Sequence, residues 1–218
     1  ALRGMTLSQM RSLLSFARLL CRQSVWLDGA TRARVRAPAI SLDHIVAFMV
    51  RPATALARCS AVELLAMGPQ PADWVVSHSG RMPMEDLIAC LEQACDDFAL
   101  DPVAATFWLG TLAANPHGEA GDKRGASDAA DAVPTGAFSR ALALADGALI
   151  VIDRAGSYFD NALCLAEAYE ALARPEAAAD ARGDAQAAST QHQTRHGRRA
   201  LAASASGRGG GPVHVYAR

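Results

Sequence analysis

An α/β fold with a small parallel sheet and flanking helices is what this sequence predicts, on three observations. The run "ALIVI" at 148–152 is apolar without alternation, the pattern of a central strand covered on both faces. Residues 83–98 repeat apolar positions at helical spacing: Met84, Leu87, Ile88, Leu91, Cys95 and Phe98 fall on one face, and Glu85, Asp86, Glu92 and Asp96 fall elsewhere. From residue 74 onward strand-like and helix-like segments alternate, the order of a parallel sheet with crossover helices.

Residues 5–22 place Met10, Leu13, Leu14, Ala17, Leu20 and Cys21 at three- and four-residue steps, and Thr6 with Gln9 has capping-box spacing. An amphipathic helix is predicted there. "TRARVRAP" at 31–38 reads as a basic, solvated connector. Short helices are predicted over 41–50 and 60–67, the second opened by Ser60 and Glu63 at capping-box spacing. Residues 74–77 form a short apolar strand, and Pro83 opens the helix described above. "TFWLGTLA" at 106–113 reads as the second strand, 118–136 as a polar loop, and about 137–145 as a helix. The third strand, 148–152, leads to a last helix over 160–174 that stops before Pro175.

From 175 to 211 large apolar residues are almost lacking, and such a composition cannot offset its own ordering entropy. A disordered insert is predicted, with "VHVY" at 213–216 as one more strand. The expected organisation is therefore a helical N-terminal extension and connector (1–69), an α/β domain (70–174), a low-complexity insert (175–211) and a final strand (212–218).

Composition narrows the function. Of the 218 residues 51% are hydrophobic but only 6% aromatic, so the core formers are concentrated in few segments. A net charge of -1 gives no global field for nucleic acid or an anionic membrane, and neither is an expected partner. The five cysteines are odd in number and lack a Cys-x-x-Cys pair, which predicts reduced thiols and no metal site. No run approaches the ~20 apolar residues of a membrane span, and a cytoplasmic location is expected. The chain opens on Ala1, which suggests an excised region whose upstream signals lie out of view.

"DWVVSHSG" ends a buried-looking strand in Ser-His-Ser-Gly. In parallel sheets ligands sit outside the carboxyl ends of the strands, and that rule gathers a rim. The first strand ends at Ser77 and His78, the second runs out at Asn115, and the third ends at Asp153; Cys164 and Glu167 lie in the helix that follows. Each has a plainer role open to it. His78 fits a hydrogen-bonded strand end, Asn115 before Pro116 is a common turn pair, and Asp153 can cap or turn. Cys164 fits a small buried apolar residue. Glu167 is either an exposed carboxylate beside Glu170 or the one acid pointing into the crevice. No glycine-rich phosphate loop follows any strand.

The succession "RPATALARCSAVELLA", "DWVVSHSG", "LIACLEQA", "FWLGTLAANPH", "FSRALALADGALIVIDRAG" and "ALCLAEAYEAL" resembles a large family of proteins from dinoflagellate algae, over residues 50–174. That family carries Ser-His-Trp-Trp-Gly, Asn-Asn-Gln and Arg-x-Trp-Cys-x-x-Glu at these places. Ser77, His78, Asn115, Cys164 and Glu167 match, while Ser79, Gly80, Ala114, Pro116 and Leu163 replace the family's residues. The pattern in turn resembles Toll/interleukin-receptor (TIR) domains, of flavodoxin-like fold, whose third strand leads into a Trp-Cys-x-x-Glu helix. The resemblance implies an interaction or signalling module with a degenerate rim, partnered by another protein or by a second copy. It also implies an alternative, an NAD glycohydrolase in which Glu167 is catalytic and the rim residues Ser77, His78, Asn115, Asp153 and Cys164 bind. NAD would then be a nucleotide substrate, and no cofactor is expected. An inert structural fragment is a third reading.

Overall fold

The computed structural model describes residues 3–117, 136–173 and 213–217. Among these residues the sheet has five strands: β1 (Met5–Thr6), β2 (Trp74–His78), β3 (Thr106–Leu109), β4 (Gly147–Ile152) and β5 (Val213–Ala217). They lie in the order β1-β3-β2-β4-β5, with β1 antiparallel to β3 and every other pair parallel. Among the parallel strands the sequence order is second, first, third, fourth, the flavodoxin-like arrangement in which direction reverses between the first and third strands. That switch point is the β2–β4 pair, in register from Trp74↔Gly147 to His78↔Val151.

Burial explains the strands. Every residue of β2 and β3 is buried, as are five of the six in β4, so no polar alternation is needed. Alternate side chains serve two layers. Trp74, Val76, Phe107, Leu109, Leu149 and Val151 face the helices α1 (Leu7–Gln23) and α5 (Met84–Asp97). Val75, Trp108 and Ala148 face α7 (Ala137–Leu142). Ile150 packs with Tyr158 and with Cys164 of α8, whose described part is 162–173. Residues on both sides of position 70 share the first layer: Met5, Leu7 and Met10 belong to the same buried cluster as Val76 and Leu87.

Several elements differ from the sequence expectation. The second strand stops at Leu109, and Gly110–Ala113 turns into the short helix α6. The apolar string "TFWLGTLA" does not distinguish the two by periodicity. The N-terminal helix is preceded by β1, where Thr6 both pairs in the sheet and caps α1 through Gln9. The helix expected over 41–50 runs on as α2 (Leu42–Ile45), a π segment (Val46–Val50) and α3 (Arg51–Thr54). The connector 31–38 is not wholly irregular, since Leu27 bridges Arg34 and Ala37–Ala39 form a 3-10 turn. The helix at Ser60 is α4 (Ala61–Leu65), with the capping box intact. The expected insert at 175–211 and most of the loop at 118–136 lie outside the described residues. β5 takes the place expected for "VHVY", parallel to β4.

The end of α5 yields a stability test. Leu100 N–H donates to Cys95 O (2.9 Å) and Ala99 N–H to Asp96 O (3.3 Å), a Schellman closure that puts Ala99 at φ 51°. An alanine pays roughly 1–2 kcal/mol in that left-handed region, which glycine avoids. Ala99→Gly is therefore expected to raise stability by about 1 kcal/mol, read as a higher urea midpoint with an unchanged slope.

Candidate functional site

Ser77 and His78 close β2 at the switch point, and the chain leaving β4 folds back over them. Asp153 organises that return. Its Oδ1 accepts from Ser157 Oγ (2.9 Å) and from Tyr158 N–H (3.3 Å), while Gly156, at φ 71°, provides the left-handed turn. Ser157 Oγ lies 2.8 Å from Ser79 Oγ, which ties the segment to the end of β2. Tyr158 is thereby driven inward and is only 1% exposed.

Three oxygens meet beneath this segment. Ser77 Oγ lies 2.7 Å from Glu167 Oε2 and 2.8 Å from the Tyr158 hydroxyl, and the Tyr158 hydroxyl donates to the Cys164 carbonyl at 2.9 Å. Cys164 Sγ donates in turn to the His78 carbonyl at 3.3 Å. The His78 ring is buried, with Nδ1 3.1 Å from the Ser79 carbonyl. Ser77, His78, Asp153, Cys164 and Glu167 are thus brought to one end of the sheet, all buried. Asn115 is not joined to them. It lies beyond α6, where Nδ2 donates to the Arg58 carbonyl (2.5 Å) and Oδ1 accepts from His117 N–H (2.9 Å).

Burial sets the electrostatics. Desolvation pushes the Glu167 carboxyl up to about 7, against a smaller opposing pull from Ser77; the Glu170 charge adds to the rise. Desolvation lifts the Cys164 thiol to about 12, with Glu167 adding to it, so no thiolate nucleophile forms there near neutral pH. Burial raises the Tyr158 phenol and lowers the His78 imidazole, which favours the neutral ring. The cavity beside Glu167, lined in part by Val76, His78, Thr111 and Cys164, has about 20 Å³. That is the room of a single water, against the roughly 300–1,000 Å³ of ligand clefts.

Comparison with family models, with curated proteins and with solved structures finds no match. Among the described residues no group of three or more histidine, cysteine or acidic side chains is placed to hold a metal ion. No helix among them is long and apolar enough to cross a membrane. The larger cleft, about 750 Å³ between α1 and α5, carries Arg11 paired with Glu92 (2.7 Å) and Arg18 with Glu85 (2.5 Å). None of the five rim residues gathered above lines it.

Sequence reasoning missed Tyr158, Ser157 and the role of Ser79. Tyr158 touches Ser77 across 81 positions of sequence, a contact no local pattern encodes. The available signal is a large amphipathic residue just past the carboxyl end of the central strand, two positions after a glycine.

Proposed function

We propose that this chain is a TIR-like interaction or signalling module whose rim, at the carboxyl ends of the strands, is catalytically degenerate. The observation that carries this reading is the enclosure of Glu167, which is 9% exposed, bound to Ser77 and faced by a cavity of about 20 Å³. A glycohydrolase that stabilises a cationic ribose needs a charged carboxylate beside the breaking bond. Glu167 sits where burial favours the neutral acid, and no ribose fits beside it. Ser79, Gly80 and Leu163, which stand where the resembled family has other residues, support the same reading.

The outer side of α8 supplies a surface of the kind a module uses. Leu165, Tyr169 and Leu172 recur at helical spacing and are 45%, 76% and 57% exposed. Such a stripe suits a protein partner or a second copy. The alternative, an NAD glycohydrolase using Glu167, draws on the placement of a buried carboxyl, pushed up to about 7 by desolvation, beside a topological switch point.

The concentrated chain incubated with NAD is expected to release no more nicotinamide than Glu167→Gln does, as measured by chromatography. Its apparent mass in sedimentation equilibrium is expected to rise with concentration, and Tyr169→Lys to suppress that rise without loss of helicity. Nicotinamide release that disappears in Glu167→Gln would transfer the assignment to the hydrolase. A monomer at every concentration would overturn self-association through α8.

A further inference from the structure

The three contacts around Ser77 contain a proton count. Glu167–Ser77, Ser77–Tyr158 and Tyr158–Cys164 C=O are separated by 2.7, 2.8 and 2.9 Å, all hydrogen-bond distances. Each bond needs its own proton, and the two hydroxyls supply one apiece. The Cys164 carbonyl can only accept. The third proton has one source, the Glu167 carboxyl.

We propose that Glu167, Ser77, Tyr158 and the Cys164 carbonyl form a hydrogen-bond chain with two polarities, chosen by a single proton on Glu167, that latches the 153–161 segment onto α8. With the proton present, Glu167 donates to Ser77, Ser77 to Tyr158, and Tyr158 to Cys164, so all three bonds are made. When it leaves to solvent, Ser77 turns to donate to the carboxylate and Tyr158 turns to donate to Ser77. The Cys164 carbonyl then loses Tyr158, and the first turn of α8 keeps its Cys164 thiol bond to the His78 carbonyl and its packing on Ile150, so the latch is loosened by one bond. No covalent bond other than the carboxyl O–H changes. The latch does not depend on whether the chain is a module or a hydrolase.

Titratable groups surround Glu167 and Cys164. From β2 comes His78, whose ring burial keeps neutral. From the return segment come Tyr158, with its phenol raised, and Asp153, held by Ser157 and the Tyr158 amide. From α8 come the Cys164 thiol, raised to about 12, and Glu170, whose charge favours the protonated form of Glu167. Asp43, from α2, acts on Cys164 in the same sense as Glu167 does.

The test follows the Glu167 Cδ resonance through a pH titration of the chain labelled with carbon-13 glutamate, assigned by its absence in Glu167→Gln. The wild type is expected to titrate near neutrality. Tyr158→Phe removes the acceptor for the Ser77 proton that the protonated state uses, which leaves Ser77 to donate to the Glu167 carboxyl group and favours its ionised form, so the midpoint is expected to fall by about one pH unit. A wild-type midpoint in the ordinary carboxylate range overturns the proposal, as does a Tyr158→Phe midpoint equal to or above that of the wild type. If Tyr158→Phe does not fold, a Tyr169→Phe, Tyr216→Phe background leaves Tyr158 as the sole tyrosine. Its resonance Raman doublet should then move from donor-and-acceptor toward donor-only across the titration. An unmoved doublet overturns the latch.

Discussion

Raising the pH from about 5 to about 8 is expected to cost the wild type roughly 3 kcal/mol of stability relative to Glu167→Gln. The sign follows from proton binding. The folded carboxyl titrates at about 7 and its reference value is 4.5, so between those values the native state holds the proton and the unfolded state does not. Its contribution is complete below about 4.5 and is lost as the pH rises through about 7. His78 acts in the opposite sense, because its folded value is depressed and its contribution is lost as the pH falls. The wild-type curve alone mixes the two, whereas the difference from Glu167→Gln isolates the carboxyl. In thermal melts that difference should shift by roughly 6–12 °C across the range. Parallel curves for the two proteins would show that Glu167 titrates alike in both states.

Trp74→Ala is expected to cost about 3–5 kcal/mol, measured as a fall in the urea midpoint. Trp74 is 6% exposed and stacks on Phe98 with ring centroids 5.0 Å apart and planes 13° from parallel. Phe98 in turn lies 4.2 Å from the His214 ring, so one indole joins β2, the end of α5 and β5. Its removal opens a cavity between three elements that cannot close together, which puts the cost at the upper part of the range. Trp74→Phe keeps the stack with Phe98 and should recover most of the loss. A loss below about 1 kcal/mol for the alanine variant would show that β5 is not held through this stack.

The parts of the fold that were legible in sequence are those whose signal is local. "ALIVI" is buried on both faces in β4, and the helical spacing of Met84 to Cys95 is the buried face of α5. The capping boxes at Thr6 and Ser60 both form. Gly110–Ala113 misled because its apolar residues satisfy a strand and a helical turn equally, and tertiary packing chose the turn. β1 was illegible because two residues have no periodicity, and among the described residues its only ladder is with residues 106 and 107. At the site, strand ends and the α8 acid could be placed by the crossover rule, but Asn115 followed its turn chemistry to Arg58. Tyr158 required knowing how the return segment folds, which depends on Asp153, Gly156 and Ser79 acting together.

The position of β5 at one edge of the sheet also sets an order of assembly. Among the described strands it bonds to β4 alone, and it is the last of them to emerge during synthesis. The described residues up to 173 already contain the switch point, the Ser77–Tyr158–Glu167 contacts and most of the buried core, so these can form on a nascent chain that has not yet made residue 213. The β4–β5 pairing joins residues far apart in sequence, Ala148 with Val213, and such non-local contacts form slowly. The sheet thus has an interval in which the β4 edge is bare. During that interval its apolar ladder can be captured by any extended segment, including the β5 of another copy.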